Sequence, residues 1–195
     1  GVYDFAHWDT TEHASVSIDT PWAMYWEQLI TPEMVAAGTL PTSTLHQEAS
    51  GWTSLDNPKT PGERFPTHGY ASFLMELQNI PNVPLTLVKN GQSTNSRWYF
   101  ISGPNITHLG NSGVVGARPD DAIDSHADMV VLLPPRDQGP TYLLAQVSCF
   151  HFARCGLKVP PQIGLKDRVG RSRLSSHQRS AMLLGIALIM CLYHF

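Results

Sequence analysis

Hydrophobic positions fall in short bursts along this chain, each closed off by Gly, Pro or Asn, and where the bursts alternate with polar residues the period is two. Val16 and Ile18 alternate first, and the aromatic stretch over residues 22–30 follows. With period two, Trp22, Met24 and Trp26 share one face of that stretch and Ala23, Tyr25 and Glu27 the other, so one face is expected to be core. Residues 70–77, 84–88, 97–101, 129–133 and 141–150 are likewise short, β-branched or aromatic, and bounded by Gly, Pro or Asn. Asn90-Gly91, Gly103-Pro104-Asn105 and Pro134-Pro135 supply turns between them. Residues 157–165 read as a last edge strand, because Pro160 and Pro161 cannot donate to a ladder. This order of elements predicts an all-β sandwich or barrel and argues against alternating strands and helices.

Three stretches depart from the pattern. Thr31 before Pro32 is a helix start, which Gly38 and Pro41 hold to a turn or two. Residues 45–69 form a long irregular segment with Trp52 in its middle, the aromatic residue least like a core position. Residues 1–15 are polar with Tyr3, Phe5 and Trp8 scattered through them, and predict an extended arm held by its rings. At the other extreme, residues 181–193 contain no charge, Asn, Gln or Pro. A helix apolar all round is buried or in lipid, and a bilayer span needs about 20 such residues. Residues 180–195 therefore read as the start of a truncated transmembrane helix. The connector before it, residues 166–179, carries Lys166, Arg168, Arg171, Arg173 and Arg179 against Asp167 alone. By the positive-inside tendency such a connector belongs in the cytoplasm.

Composition narrows the chemistry. Charged residues are 15% of the chain and the net charge is -3, which offers nucleic acid no electrostatic grip. The 15 Gly and 15 Pro suit short strands and turns. Of the 3 cysteines, Cys191 lies in the apolar run, leaving Cys149 and Cys155 as one pair, bridged or free. Cys149 and His151 would share a strand face, but a structural metal site wants four ligands and no fourth is evident, so no metal and no cofactor are assigned. Gly110-Asn111-Ser112-Gly113-Val114-Val115-Gly116 lacks the spacing and the Lys of a phosphate loop and reads as a turn. Asp120, Asp121 and Asp124 read as a solvated acidic loop, since the ligand pattern of a calcium loop is missing. Asn105-Ile106-Thr107 matches a glycosylation acceptor, relevant only to a eukaryotic secretory route. Neither a nucleophile elbow nor a pairing among Glu27, Glu33, Glu48, Glu63 and Glu76 can be read from spacing, which speaks against an enzyme. What remains is aromatic. Trp22, Tyr25, Trp26, Trp52, Trp98 and Tyr99 lie near loops, where rings serve as platforms for sugars, although at least half of such rings are expected to fill the core. The ligand-site candidates are Trp52, Trp22, Tyr25 and Trp98 as rings, with Arg97, His68, His108, His151 and Arg154 as polar fixing points.

Several stretches taken in order resemble one family. Trp22-Ala23-Met24-Tyr25-Trp26 running on to Pro32, Gly51-Trp52, Gly69-Tyr70-Ala71-Ser72-Phe73, the glycines 110, 113 and 116, Gln146-Val147-Ser148-Cys149-Phe150-His151, Gly156-Leu157, Ile163-Gly164 and the closing Leu192-Tyr193-His194 are similar to the extracytoplasmic sensor domain of bacterial seven-transmembrane receptors with diverse intracellular signalling modules. The resemblance covers nearly the whole chain. It implies a jelly-roll sandwich of the galactose-binding-like type over residues 1–165, in the periplasm, followed by the connector and the first membrane helix in the bacterial inner membrane. It also implies that the domain binds a small molecule or a carbohydrate without catalysing a reaction. A histidine kinase or diguanylate cyclase output would lie beyond this fragment, and the full receptor could act as a homodimer. Cys149 and Cys155 stand where that family usually has Asn and Gly, and a bridge between them would compensate for the altered turn. The alternative is a carbohydrate-binding accessory module of a glycoside hydrolase, which shares the sandwich but would not precede a membrane span.

Overall fold

The structure is a computed structural model, and it describes residues 1–91, 94–125 and 127–168. The apolar run 180–195 and the connector from residue 169 onward lie outside the described residues. Among the described residues no helix is long and apolar enough to cross a membrane. The architecture is the all-β sandwich that the strand pattern predicts, two facing sheets with one short helix.

The larger sheet has seven strands. β3 (Trp22–Trp26), β5 (Gly69–Gln78), β7 (Asn95–Ser102), β8 (Asn105–Ser112) and β10 (Thr141–Cys149) join β1 (Val2–Asp4) and β4 (Leu45–Gln47). Their order is β4-β3-β5-β10-β7-β8, with β1 running parallel to β5 beside Glu76, Leu77 and Gln78. The smaller sheet is ordered β2-β11-β6-β9, from β2 (Ser15–Ser17), β6 (Leu85–Lys89), β9 (Met129–Leu132) and β11 (Gln162–Leu165).

The facing sides of the sheets supply the main core. Trp22, Met24 and Trp26 of β3 point there with Phe73, Met75, Trp98, Phe100, Leu143 and Val147. Trp22 and Trp98 meet edge to face at 6.2 Å, and Trp26 meets Trp52 at 5.1 Å and Phe65 at 4.9 Å. β3 is buried on both faces, not one: Ala23 and Tyr25 join a second cluster with Ile30, Val35, Leu74, Ile101 and Leu144 on the outer side of the larger sheet. The cover there is residues 27–44, which carry the short helix α1 (Pro32–Ala36). Pro32 occupies its first turn, and the Thr31 side chain caps it by accepting from the Met34 N–H at 3.3 Å.

The long segment before β5 is ordered by what it buries. Trp52 is 0% exposed, correcting its expected place on a loop surface. A backbone bridge between Gly51 and Gly156 and the Trp52 N–H to Cys155 O bond at 3.0 Å press it onto the sandwich. Gly156 has φ 125, and a Cβ there would lie 2.8 Å from both Ser50 O and Trp52 N, so glycine is required by conformation and by space. Cys149 and Cys155 form a disulfide, which takes both sulfurs from any metal site; His151 lies past the end of β10. The glycine-rich stretch from Gly110 also differs from a turn: its first residues complete β8, an edge strand whose Asn, Thr and Ser composition hides it. Likewise residues 2–4 are a strand in the sheet, where the sequence predicts an extended arm.

Candidate functional site

Most of the tryptophan candidates are structural. Trp22 and Trp98 sit in the main core with Trp52, and their indole N–H groups are used internally: Trp22 donates to Ile18 O at 3.2 Å, Trp98 to Ser96 Oγ at 3.0 Å and Trp52 to Thr67 O at 3.3 Å. Each ring removes so much apolar surface from water that the core outcompetes a surface role. Tyr25 is buried under residues 27–44, and that burial raises its hydroxyl pKa. None of these rings offers a face to a ligand.

The polar candidates fare differently. On the outer side of the larger sheet the register aligns Tyr25, Ser72, Gln146, Arg97 and Asn111 across five neighbouring strands, side chains on one face. Two covers lie over this row. From one side, residues 27–44 lean on its start: Ser72 Oγ donates to Gln28 O and accepts from the Ile30 N–H, both at 2.8 Å, and Gln146 Nε2 donates to Ile30 O at 2.8 Å. From the other, residues 113–124 fold back as Val114 and Ile123 pair, and the Gly116 N–H donates to Ser148 Oγ at 3.2 Å.

Between the covers, Gln146 is only 5% exposed and its Oε1 has no hydrogen-bond partner among the described residues. Its cross-strand neighbour Arg97 is half-buried, and its guanidinium makes no ion pair or hydrogen bond among the described residues. Tyr99, half-buried one step along β7, faces His108 with ring centroids 5.3 Å apart. His108 Nε2 donates to Asn111 Oδ1 at 2.8 Å, which holds the imidazole beside the carboxamide. An aromatic ring, a half-buried cation, a carboxamide and an imidazole thus stand on one sheet face, next to an acceptor with no partner among the described residues. That set can hold a polar, hydroxyl-rich molecule by stacking and by hydrogen bonds. The described residues contain no group of His, Cys, Asp or Glu placed to hold a metal.

The loops beyond the row carry the rest. Asn95 Nδ2 donates to Asp124 Oδ1 at 2.9 Å, and Asp124 Oδ2 takes His151 Nδ1 at 2.8 Å, tying the 113–124 cover to the disulfide loop. Arg154 lies in that same loop, where burial first and Arg154 second lower the pKa of Lys158. His68 is exposed just before Gly69, the partner of Cys149. The structure therefore brings Arg97 and His108 onto one face, gathers His68, His151 and Arg154 at the loop end beside it, and removes Trp22, Trp52, Trp98 and Tyr25. Gln146, Asn111 and Asp124 are additions. The alternation Ser72/Leu74 and Gln146/Ser148 marks a second, partly polar face on strands buried on both sides, and that signal was available in the sequence.

No family model matches the sequence, and no curated protein does. Among solved structures the chain is similar to a β-glucuronidase from Ruminococcus gnavus in complex with C6-substituted uronic isofagomine, with TM-score 0.50 and 10% identity over 77% of this chain and 29% of that one. The complexes described with D-glucaro 1,5-lactone (TM-score 0.50, 11% identity, 77% of this chain, 29% of that one) and with uronic deoxynojirimycin (0.50, 11%, 78%, 29%) are similar to the same degree. At this identity the likeness is one of fold, and the chain spans less than a third of those structures.

Proposed function

We propose that this chain is a ligand-binding β-sandwich module whose ligand is a carbohydrate, and that it works as an accessory module of a carbohydrate-active protein such as a glycoside hydrolase. The observation that carries this reading is the row Gln146–Arg97–Asn111 with Tyr99 and His108 beside it: a buried acceptor and a half-buried cation, neither paired among the described residues, next to an aromatic ring. The fold likeness to a glycoside-cleaving enzyme supports the same direction. The chain itself does no chemistry in this reading; Tyr99 stacks on the sugar, Arg97 and Asn111 donate to its oxygens, and a sugar hydroxyl donates to Gln146 Oε1.

Titration of the 195-residue chain against a panel of neutral and uronic oligosaccharides by calorimetry tests it. Binding of one class is expected, weakened at least about tenfold by Arg97→Ala, since a charged hydrogen bond is worth about 1.5–3 kcal/mol. Binding that ignores Arg97→Ala and Asn111→Ala, or no binding by any member, sinks the proposal.

The second reading is the sensor ectodomain of a bacterial membrane receptor. The apolar run 181–193 favours it, and so does the disulfide, which persists in oxidising compartments such as the periplasm. The jelly-roll sandwich of the galactose-binding-like type is part of both readings. In the sensor reading the same outer face holds the ligand, and only a ligand with unequal affinity for two receptor states would signal.

A further inference from the structure

The loop end with its polar row is one end of the sandwich; the other end is chemically unlike it. There the connection from β5 to β6 (residues 79–84) and the connection from β9 to β10 (residues 133–140) enclose an open cleft of about 340 Å³. Ile80, Pro84, Leu133 and Pro134 line it over Phe100. Val83 and Leu132 stand at its mouth 44% and 49% exposed, on a domain whose other large apolar side chains are mostly buried. The rim carries more cations than acids: Arg136 lines the cleft, and Lys166, Asp167 and Arg168 line the adjoining hollow that shares Val83 and Pro84 with it. Asp167 stands between the two cations of that hollow in the chain, and Asp137 follows Arg136. Asn105 Nδ2 donates to Asp137, and the Asp137 N–H is bound by Ser102 Oγ, which turns that residue toward the β7–β8 turn.

The chain leaves this same end. The Lys166 N–H donates to Pro84 O at 3.2 Å and Arg168 Nη1 to Thr11 O at 3.0 Å, so the path out of β11 is fastened to the cleft's edge. Beyond it the sequence adds Arg171, Arg173 and Arg179 and then the apolar run 181–193. The intervening residues 169–180, even fully extended, reach no more than about 40 Å at about 3.3 Å per residue.

We infer that this end of the sandwich, with Val83 and Leu132 projecting and Arg136, Lys166 and Arg168 around them, is a docking surface for an anionic lipid bilayer. The inference rests on the second reading above, the sensor ectodomain, in which residues 181–193 are a membrane segment, and not on the accessory-module reading. Two features point to lipid. Exposed aliphatic side chains ringed by Lys and Arg suit the boundary between headgroups and acyl chains, where the cations meet lipid phosphates. A membrane segment tethered by this connector keeps the domain within about 40 Å of the bilayer, and the end from which the connector leaves reaches it with the least extension. The ligand face and the loop end then point away from the membrane, open to solutes.

Environment-sensitive fluorophores on the full chain test this, because Cys149 and Cys155 are bridged and buried and leave Cys191 as the native labelling site. One preparation is labelled at Cys191. A second is labelled at Leu132→Cys and a third at Lys59→Cys in the loop-end segment, both with Cys191→Ser. Each is reconstituted into vesicles of phosphatidylglycerol mixed with phosphatidylcholine, and into pure phosphatidylcholine. The expected result is blue-shifted emission and a several-fold loss of iodide quenching at positions 191 and 132 in the anionic vesicles, with position 59 unchanged. Replacing Arg136 and Lys166 by Glu should return position 132 to water while 191 stays in lipid. A lipid signal at 191 with an aqueous signal at 132 overturns the docking surface and leaves the membrane reading standing. An aqueous signal at 191 overturns the membrane reading itself. A blue shift at 132 without vesicles shows that the chain or a second copy covers the cleft, which also overturns the inference.

Discussion

Lys89 is a buried cation whose surroundings only partly offset the cost of desolvating it. It ends β6 facing inward, 1% exposed, with Nζ 3.4 Å from Ala127 O and the Asp128 carboxylate near enough to favour its charge. Desolvation outweighs Asp128, and the ammonium pKa falls from 10.5 to about 8. Between those two pH values the unfolded chain binds more protons than the folded one, so stability should rise with pH across the window, by about 3 kcal/mol in all. Denaturant titrations from pH 7 to 11 should show that rise, and Lys89→Met should flatten it. The same titrations on Gly156→Ala should show a loss of about 1–3 kcal/mol, because its φ of 125 is close to glycine's alone and the new methyl would strike Ser50 O and Trp52 N. Neither residue announces itself in the sequence. A lysine after a hydrophobic strand reads as a strand end, and a glycine beside a cysteine reads as a turn; only the partners across the fold show what each one does.

At the scale of elements, the disulfide and the covers over the larger sheet matter most. The Cys149–Cys155 bridge closes a short loop at the end of β10, and that loop carries His151, whose contact with Asp124 reaches the 113–124 cover. Chain entropy alone puts such a loop at about 2 kcal/mol. Cys149→Ala with Cys155→Ala should therefore lower the unfolding free energy by about that amount, and should raise amide exchange in residues 113–124 before it raises exchange in β5. Equal exchange in both would mean that the bridge does not serve the cover. β5, β7 and β10, rich in aromatic and aliphatic residues and bounded by turn residues, are legible from residue pattern alone. β4 and β8 are not, since edge strands need no apolar face and theirs are short or rich in Asn, Thr and Ser. The cover formed by residues 27–44 was legible only as a capped helix start, because nothing local says which sheet face Ile30 and Val35 will bury.

At the scale of the molecule, the two ends of the sandwich differ in chemistry: a polar row and crosslinked loops at one, an apolar cleft rimmed by Arg136, Lys166, Asp167 and Arg168 and the departing chain at the other. Separate ends should behave additively. Arg97→Ala is expected to weaken the proposed carbohydrate binding at least about tenfold while moving the unfolding free energy by no more than about 0.5 kcal/mol, since its guanidinium has no partner among the described residues. A loss of stability well beyond that would make Arg97 a structural residue. The sequence by itself determined the all-β class, the positions of most strands, the capped turn at Thr31 and the apolar run at 181–193, because alternation, capping and hydrophobic length are local properties of a chain. The ring candidates show the limit of that reading: period two puts Trp22, Trp26 and Trp98 on strand faces without saying whether a face meets solvent or the other sheet. Only the tertiary structure decided that those faces meet each other, that Trp52 is drawn in from its loop, and that Gln146, Arg97 and Asn111 align from strands far apart in the chain. Registers between distant strands depend on which surfaces can be buried together, and that is settled by the whole fold at once.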